Sequence, residues 1–332
     1  MKRIVAATAI MVALVVTGFG IWYFMSSLTA DSGTTESITI EELPYESYSL
    51  IYIAEDQGLF TRNGLNVTMR NYGVPNFLNG LLSDEVDIGL SSEYVFVRKV
   101  FNQANISVIG NIDRYQNVYL IGRKDRGIEK VSDLSGKKIG LTRNTISEFY
   151  LGRFLDLHGM SIRDVTLSNM PPSQYMQAIT NGSIEALLTG NFIDQIQERL
   201  GNNAVLWPTQ NGQNSYYVMS CRSDWAAGHP VQINRFLKSL AQAEDYMINH
   251  PNEAKAVVQK RLNYTDAYMA KIWPKNEFSL SLDQSLVVAM EDEGRWMIAN
   301  NLTTAKTIPD IRDHIYTKGL EEVLPESVNV IA

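Results

Sequence analysis

The sequence contains one cysteine, four histidines and no strongly basic segment, and each shortage argues against a class of function. The single cysteine, Cys221, cannot form a disulfide within the chain, and so few cysteines and histidines argue against a zinc site. The formal net charge of −7 argues against nucleic-acid binding, because phosphate contacts need a basic surface. We expect no metal, no cofactor and no nucleic-acid partner.

The sequence also lacks the short motifs of common enzyme families. It has no Gly-x-Ser-x-Gly, no P-loop and no Gly-x-Gly-x-x-Gly pattern. The histidines, His158, His229, His250 and His314, stand at predicted helix ends or before prolines, not beside a candidate nucleophile. We therefore predict no catalytic residues, although missing motifs alone do not exclude an enzyme.

One long apolar run is present, at the N-terminus. Lys2 and Arg3 precede an uncharged segment from Ile4 to Phe24, which as a helix is long enough to cross the roughly 30 Å hydrocarbon layer. Basic residues before such a segment place the following chain outside the cytoplasm. Residues 1–25 are predicted to be an uncleaved membrane anchor, which the length of the run favours, or a cleaved signal peptide. Residues 26–36 are then a polar tether, and the body of the protein is exported.

Two stretches of the chain, 98 residues apart, resemble each other. The segment Val67–Asn71 corresponds to Val165–Asn169, and Val86-Asp87 corresponds to Ile184-Glu185. Each copy has the pattern strand, helix, strand and short polar loop, which predicts two similar α/β lobes; a β-α-β rhythm by itself is common in α/β proteins. Ligands bind at lobe interfaces and beyond the carboxyl ends of parallel strands, so the site is expected between the lobes.

We predict an α/β fold in which the second lobe is inserted into the first. Polar segments near Arg123 and Gly212 are predicted to carry the chain between the lobes. Residues 37–123 and 215–332 then form lobe I, and residues 124–214 form lobe II. The C-terminal part is predicted to be mostly helical, over Pro230–Asn249, Pro251–Leu262 and Asp283–Asn300.

Four loops follow predicted strands and are expected to face the cleft. The 98-residue offset pairs the loop Tyr45–Ser49 with Thr142–Ser147, and the loop Ser91–Glu93 with Thr189–Asn191. The candidate ligand-binding residues in these loops are Tyr45, Glu46, Tyr48, Ser91, Ser92, Glu93, Thr142, Asn144, Thr145 and Asn191.

The first pair of loops carries aromatic and acidic side chains. Tyr45 and Tyr48 could stack on a flat ligand, or be ordinary surface aromatics. Glu46 and Glu93 could bind an amine or a protonated ring, or be solvated loop carboxylates. Such residues favour a flat or cationic ligand.

The segment after Thr142 favours a different chemistry. Free N–H groups at a helix start attract an anion or a carbonyl oxygen. The alternative is helix capping by Asn144 or Thr145, with Glu148 closing a capping box. A zwitterionic or aromatic-acid ligand would use both kinds of group. Asp113-Arg114, after the fourth strand, is expected to form an ion pair at the hinge or to reach the cleft, and we favour the hinge.

Several segments resemble one known family. Leu50–Phe60 followed by Asn63–Val67 is similar to the "yiA-x-x-x-G-x-F … GL-x-V" stretch of solute-binding proteins of the sulfonate/nitrate/taurine and thiamine-pyrimidine-precursor type. Further segments are similar to other parts of that family, with Glu185 in place of its aspartate: Val86–Gly89, Asp133–Gly140 and Gly182–Ala186.

The resemblance implies a two-lobed, periplasmic-binding-protein-like (type II) α/β fold with two hinge crossovers. It also implies a non-enzymatic solute-binding protein of an ABC importer, which closes on a small molecule and delivers it to a membrane permease with its ATPase. We expect a monomer on the outer face of the cytoplasmic membrane, tethered through its N-terminal segment or secreted. The alternatives are an enzyme on the same fold, similar to the dehydratase-like enzymes of menaquinone synthesis, or an extracellular sensor domain.

Overall fold

The computed structural model describes residues 34–72 and 78–331. The predicted anchor or signal segment and most of the polar tether lie outside the described residues. Within these two ranges, no helix is both long enough and apolar enough to cross a membrane.

The described residues contain strands and α-helices in alternation, followed by a mostly helical C-terminal part. The strands are β1 Glu36–Glu42, β2 Leu65–Asn71, β3 Ile88–Ser92, β4 Ile106–Tyr115, β5 Tyr119–Arg123, β6 Lys138–Leu141, β7 Thr166–Asn169, β8 Ala186–Thr189, β9 Ala204–Pro208, β10 Ser215–Arg222 and β11 Asn276–Glu277. The α-helices are α1 Ser49–Asp56, α2 Leu59–Arg62, α3 Asn79–Leu82, α4 Glu93–Phe101, α5 Ile146–Leu157, α6 Tyr175–Asn181, α7 Ile193–Leu200, α8 Ser223–Gly228, α9 Pro230–Asn249, α10 Pro251–Leu262, α11 Asp266–Ile272, α12 Gln284–Ala299 and α13 Lys318–Val323.

The strands form two sheets that share one strand order. The first sheet runs β2-β1-β3-β10-β4-β11, and the second runs β7-β6-β8-β5-β9. In each sheet three parallel strands are followed by one antiparallel strand, which is β10 in the first and β5 in the second. Adding 98 to the residue numbers of β2, β3 and β4 leads to β7, β8 and β9, so the prediction of two similar α/β lobes is confirmed.

The chain passes between the two sheets twice. It crosses at residues 116–118, between β4 and β5, and returns at residues 209–214, between β9 and β10. We expected the first crossover near Arg123, but β5 already pairs with β8 and β9 in the second sheet. Two consecutive strands such as β4 and β5, joined by only three residues, carry no sequence signal of which sheet each joins, because both contain apolar runs. The pairing favours a limit of lobe I near residue 117, and the lobe limits themselves stay a prediction.

The two lobes touch through aromatic side chains beside α5. Phe149 of α5 lies edge-on to Trp296 of α12, with ring centroids 5.6 Å apart, and Tyr94 of α4 lies 6.1 Å from Phe149. A Cβ atom on Gly152 would come within 2.2 Å of the Trp296 ring. The larger apolar core therefore continues from one lobe into the other, next to the cleft.

Candidate functional site

A cavity of about 140 Å³ lies between the lobes. The loop after β1 and the end of β3 form its wall on the first lobe, and the start of α5 and the loop after β8 form its wall on the second. The crossover at residues 116–118 and the adjoining strands β4 and β10 close the remaining side. The lining residues are Tyr45, Glu46, Ser47, Ser92, Val95, Tyr115, Asn117, Val118, Thr145, Ile146, Ser147, Gly190, Asn191 and Tyr217.

All four loops predicted from the repeat reach this cavity. Half of the predicted binding residues line it, namely Tyr45, Glu46, Ser92, Thr145 and Asn191. The first loop faces the start of α5, and the end of β3 faces the loop after β8, as the 98-residue offset pairs them. That these side chains bind a ligand stays a prediction.

Three predicted residues lie behind the wall instead. Tyr48 is fully buried with its ring centroid 5.6 Å from that of Tyr217, so its ring packs in the core and is not available to stack on a ligand. Ser91 and Ser92 are not in a loop, because both pair with β10. The Ser91 hydroxyl donates to the Ser92 carbonyl, and Glu93 is fully buried.

The start of α5, where we expected an anion, is occupied by a carboxylate of the chain itself. The Asn144 backbone N–H donates to Glu148 Oε2 at 2.8 Å, and Arg143 Nη2 donates to Glu148 Oε1 at 2.6 Å. The Thr142 hydroxyl lies 2.6 Å from the Tyr175 hydroxyl. The side chain of Glu148 is 1% exposed. These groups bond within the protein, but not as the capping alternative describes, because the N-cap residue Thr145 makes no side-chain cap hydrogen bond and its hydroxyl donates to the Thr142 carbonyl.

A second cavity, of about 270 Å³, adjoins the first and carries positive charge. It shares Val95 and Thr145 with the central cavity, and its cationic lining residues are Arg98, Lys99 and Arg143. Arg143 is paired with Glu148, and Lys99 Nζ donates to Asn79 Oδ1 at 3.1 Å. Burial lowers the pKa of Lys99. An anion that entered the cleft would find its countercharge here.

A groove of about 420 Å³ adjoins the central cavity on another side. The two share Tyr45 and Asn191, and aromatic rings line the groove, including Phe192, Tyr264 and Tyr268. The rings of Tyr264 and Tyr268 pack edge to face with centroids 4.6 Å apart. The groove could therefore accept a flat or apolar extension of a bound molecule.

Two buried carboxyl groups set the electrostatics of the central cavity. Glu46 is 4% exposed, and its Oε2 accepts a hydrogen bond from the Tyr264 hydroxyl at 3.1 Å. Asp113 is fully buried, and its Oδ2 accepts from the Ser47 hydroxyl at 2.6 Å. Burial raises the pKa of both carboxyl groups. Burial, with the nearby Glu46, also raises the pKa of Tyr45 to about 12.

The expected pairing of Asp113 with Arg114 at the hinge is wrong. Arg114 Nη2 lies 3.0 Å from Asp283 Oδ2, on the other side of β4, whereas Asp113 points towards Ser47. Neighbouring residues of a strand project to opposite faces, so a sequential pair on β4 is separated by the sheet.

Several lining residues were not among the sequence candidates. The crossover at residues 116–118 and the adjoining strands β4 and β10 supply Asn117, Tyr115 and Tyr217. The segment after α10 supplies Tyr264, whose hydroxyl donates a hydrogen bond to Glu46. Only the position of the crossovers could have indicated the first three. Nothing in the local sequence connects Tyr264 with Glu46, since the two lie 218 residues apart.

Other predicted features concern metals and thiols. Across residues 34–72 and 78–331 no group of His, Cys, Asp and Glu is arranged to hold a metal ion. Cys221, which cannot form a disulfide within the chain, is a buried free cysteine in β10. Neither feature supplies chemistry to the cleft.

Comparison with known proteins gives one matching family. The family described as NMT1/THI5 like matches residues 46–254, which is more than half of the chain. A protein of Brucella abortus (strain 2308) that is named as a binding protein is 23% identical over 248 residues, covering 72% of this chain and 75% of its own. A Bacillus subtilis (strain 168) protein whose name assigns it to the binding of aliphatic sulfonates is 24% identical over 298 residues, covering 83% of this chain and 86% of its own.

Solved structures share the fold at low sequence identity. The alkanesulfonate-binding protein of Xanthomonas axonopodis pv. citri, bound to MOPS, has a TM-score of 0.74 at 15% identity, covering 86% of this chain and 100% of that chain. The desulfurization enzyme DSZB has a TM-score of 0.63 at 14% identity, covering 88% of this chain and 99% of that chain. Both a binding protein and an enzyme therefore have this fold.

Proposed function

The chain belongs to the NMT1/THI5-like family, and from this premise we propose that it is the solute-binding protein of an ABC importer. It captures a small organic molecule between its lobes, closes by hinge motion, and delivers the molecule to a membrane permease with its ATPase. Relatives named for binding, and a fold shared with an alkanesulfonate-binding protein, support the proposal.

The observation that carries the proposal is a cavity lined by both lobes and by the crossover between them. A ligand that contacts Tyr45 and Glu46 on one lobe and Thr145 and Asn191 on the other gains its full contacts only when the lobes are together. Such a ligand stabilises the closed state by its differential affinity for that state. A permease can then distinguish loaded from empty protein by its shape.

We infer that the role is not catalytic. Within residues 34–72 and 78–331, the residues that line the cavity include no histidine, cysteine or lysine that could act as a nucleophile or base. The two buried acids, Glu46 and Asp113, accept hydrogen bonds from the hydroxyl groups of Tyr264 and Ser47, and the described lining residues include no histidine or lysine to act as a base for either hydroxyl. The rival proposal, an enzyme, is supported by the shared fold of DSZB alone.

We further infer that the protein works on the outer face of the cytoplasmic membrane, as a monomer. The apolar run from Ile4 to Phe24, preceded by Lys2 and Arg3, supports export and a tether. Mass spectrometry of the mature protein would distinguish a retained anchor from a cleaved signal peptide.

The test is a thermal-shift screen of small metabolites with the exported part of the chain. A ligand that raises Tm should also reduce the radius of gyration measured by small-angle scattering, and should be recovered chemically unchanged after incubation. Tyr45→Ala should weaken its binding about tenfold or more, since aromatic lining residues carry much of the affinity of such sites. Tyr246→Ala, a half-buried tyrosine that is not among the lining residues, is the matched control. A screen without any stabilising compound, a ligand that leaves the scattering unchanged, or one that is converted to product would contradict the proposal.

A further inference from the structure

We propose that the ligand is a compact organic cation, a protonated amine or amidine, whose charge pairs with Glu46 in the central cavity. This inference rests on the proposed function, because it concerns the molecule that the same cavity captures. It assigns to Glu46 the role of the residue that selects the ligand by charge.

The charge of the cavity lining favours a cation. Among the described residues that line the central cavity, Glu46 is the one formally charged side chain, and the others carry neutral hydroxyls, amides, aromatic rings and aliphatic groups. Glu46 is 4% exposed, so bulk water screens its carboxylate poorly. An anionic ligand beside it would either meet a like charge or hold Glu46 in its protonated form, and the described lining residues include no lysine, arginine or histidine to offset the negative charge.

Glu46 is held by neutral groups. Its carboxylate receives hydrogen bonds from the Tyr264 hydroxyl and from its own backbone N–H. A second buried acid, Asp113, stands directly behind the lining residue Ser47. Burying a carboxylate without a countercharge is costly, and the pKa of both groups is accordingly raised. A ligand cation supplies the missing countercharge.

The groups that would bind an anion are already paired or lie in the adjoining cavity. The amide and guanidinium groups at the start of α5 already bind Glu148. The remaining cations, Arg98 and Lys99, line the adjoining basic cavity and not the central one. An anionic ligand would therefore occupy the basic cavity, away from Glu46 and Asn191, which line the central cavity.

The shape and aromatic lining of the cavity also favour a compact organic cation. Tyr45, Tyr115 and Tyr217 line it, and the faces of tyrosine rings attract organic cations. Its volume of about 140 Å³ is below the range of roughly 300 to 1,000 Å³ that holds drug-sized ligands. The charged group must therefore be compact, and any longer apolar part would extend past Tyr45 into the groove of about 420 Å³.

The experiment uses ligands that differ in charge and little in size. One set is benzamidine, benzamide and benzoate, and another is butylamine, butanol and butyrate; the metabolite screen for the proposed function is sorted by the same three charge classes. Affinities are measured by calorimetry for the wild type, Glu46→Gln and Lys99→Gln. Lys99→Gln is the matched control, because it removes a charge from the basic cavity and leaves Glu46 in place.

We expect the strongest ligand to be a cation, bound at least tenfold more tightly than its neutral and anionic counterparts. Glu46→Gln should lower the affinity for this cation at least tenfold, and Lys99→Gln should change it less than twofold. The affinity should rise with pH as Glu46 loses its proton, and calorimetry in two buffers of different ionisation enthalpy should show that binding releases a proton.

Other outcomes separate this inference from the proposed function. If the strongest ligand is an anion that depends on Lys99, or a neutral molecule indifferent to Glu46→Gln, the cation assignment is overturned and solute binding still stands. If no compound of any charge class binds, the proposed function itself fails. The ranking of ligands by charge in the wild type does not depend on whether either variant folds.

Discussion

The glutamates Glu46 and Glu148 show how surroundings give one residue type two different roles. Both are almost completely buried: Glu46 is 4% exposed as a whole residue, and the side chain of Glu148 is 1% exposed. Glu148 is neutralised by Arg143 and a backbone amide, so it stabilises the start of α5. Glu46 is held by neutral groups and faces the cleft. Both residues can be picked out from the sequence, but only the fold shows that the charge of Glu148 is already compensated and that of Glu46 is not.

The same limit applies to Tyr45 and Tyr48. They are three residues apart and chemically identical, so the sequence offers no ground for treating them differently. In the structure a short 3-10 turn over Glu46–Tyr48 places Tyr45 on the cavity and Tyr48 in the core. Loops near a site can be predicted because they follow strands, whereas the direction of each side chain depends on local turns and on distant packing.

A prediction at the residue scale concerns Cys221. Burial raises the pKa of its thiol to about 12, so the reactive thiolate is scarce at neutral pH. We expect Ellman's reagent to label the native protein far more slowly than the same protein in guanidinium chloride, where one thiol per chain should react at once. Rapid labelling of the native protein would show that β10 opens or that Cys221 is not buried.

At the scale of elements, the helices were predicted better than the strand ends. α9 and α10 have the predicted limits, because proline occupies the first helical position of each. β3 extends two residues further than predicted, to Ser92, because β10 supplies hydrogen-bond partners there. Helix ends are marked locally, while the end of a strand depends on a neighbour more than a hundred residues away.

The contact between α4 and α12 contains a pair of buried acids. Glu93 and Glu293 are both almost fully buried; burial raises the pKa of both carboxyl groups, and the neighbouring Glu93 raises the pKa of Glu293 further. The native state therefore holds protons that the unfolded chain releases near the ordinary pKa of 4.5. The free energy of unfolding should fall as pH rises from about 5 through neutrality, because protons are bound more tightly in the native state.

Glu293→Gln tests this pair. The substitution removes one of the two like charges and should flatten the loss of stability with pH, raising Tm at pH 8 by a few degrees. Glu291→Gln, on the exposed face of the same helix and paired with Arg295, is the control and should leave the pH dependence unchanged. Thermal unfolding followed by circular dichroism between pH 5 and 8.5 measures both. Parallel curves for wild type and Glu293→Gln would show that the pair does not titrate in this range.

The contact between α5 and α12 depends on the absence of a side chain at Gly152. A methyl group there would overlap the Trp296 ring, so Gly152→Ala should destabilise the protein by about 1–3 kcal/mol. Gly228→Ala is the control, since a Cβ atom at Gly228 has no neighbour within 4 Å. Urea denaturation gives both free energies. Equal stability of the two variants would mean that the lobes do not pack together at this point in solution.

At the scale of the whole molecule, the fold class and the duplication followed from the sequence, and the assignment of β5 did not. The repeat predicts two lobes because it preserves the apolar pattern of three parallel strands. Adding 98 to the residue numbers of β5 leads to β10, the antiparallel strand of the other sheet, but the offset does not show which sheet either strand joins. Strand pairing across the crossovers is a long-range property and is decided by packing.

The shared core predicts a single unfolding transition. Side chains of both lobes belong to the larger apolar cluster, so neither lobe can lose its packing without exposing the other. Unfolding in urea should therefore give coincident curves by tryptophan fluorescence and by far-ultraviolet circular dichroism, as two-state behaviour requires. Two separated transitions would show that the lobes unfold independently.

The position of β10 also has a consequence for the time at which the protein can fold. β4 lies between β10 and β11, and both of these strands follow the whole second lobe in the chain. During synthesis at roughly 5–20 residues per second, β4 waits about 5–20 s for its first partner. In that interval its apolar segment Ile106–Ile112 is an unpaired edge, open to wrong partners. The ribosome thus completes the second lobe before the first, and the half of the molecule made earliest is finished last.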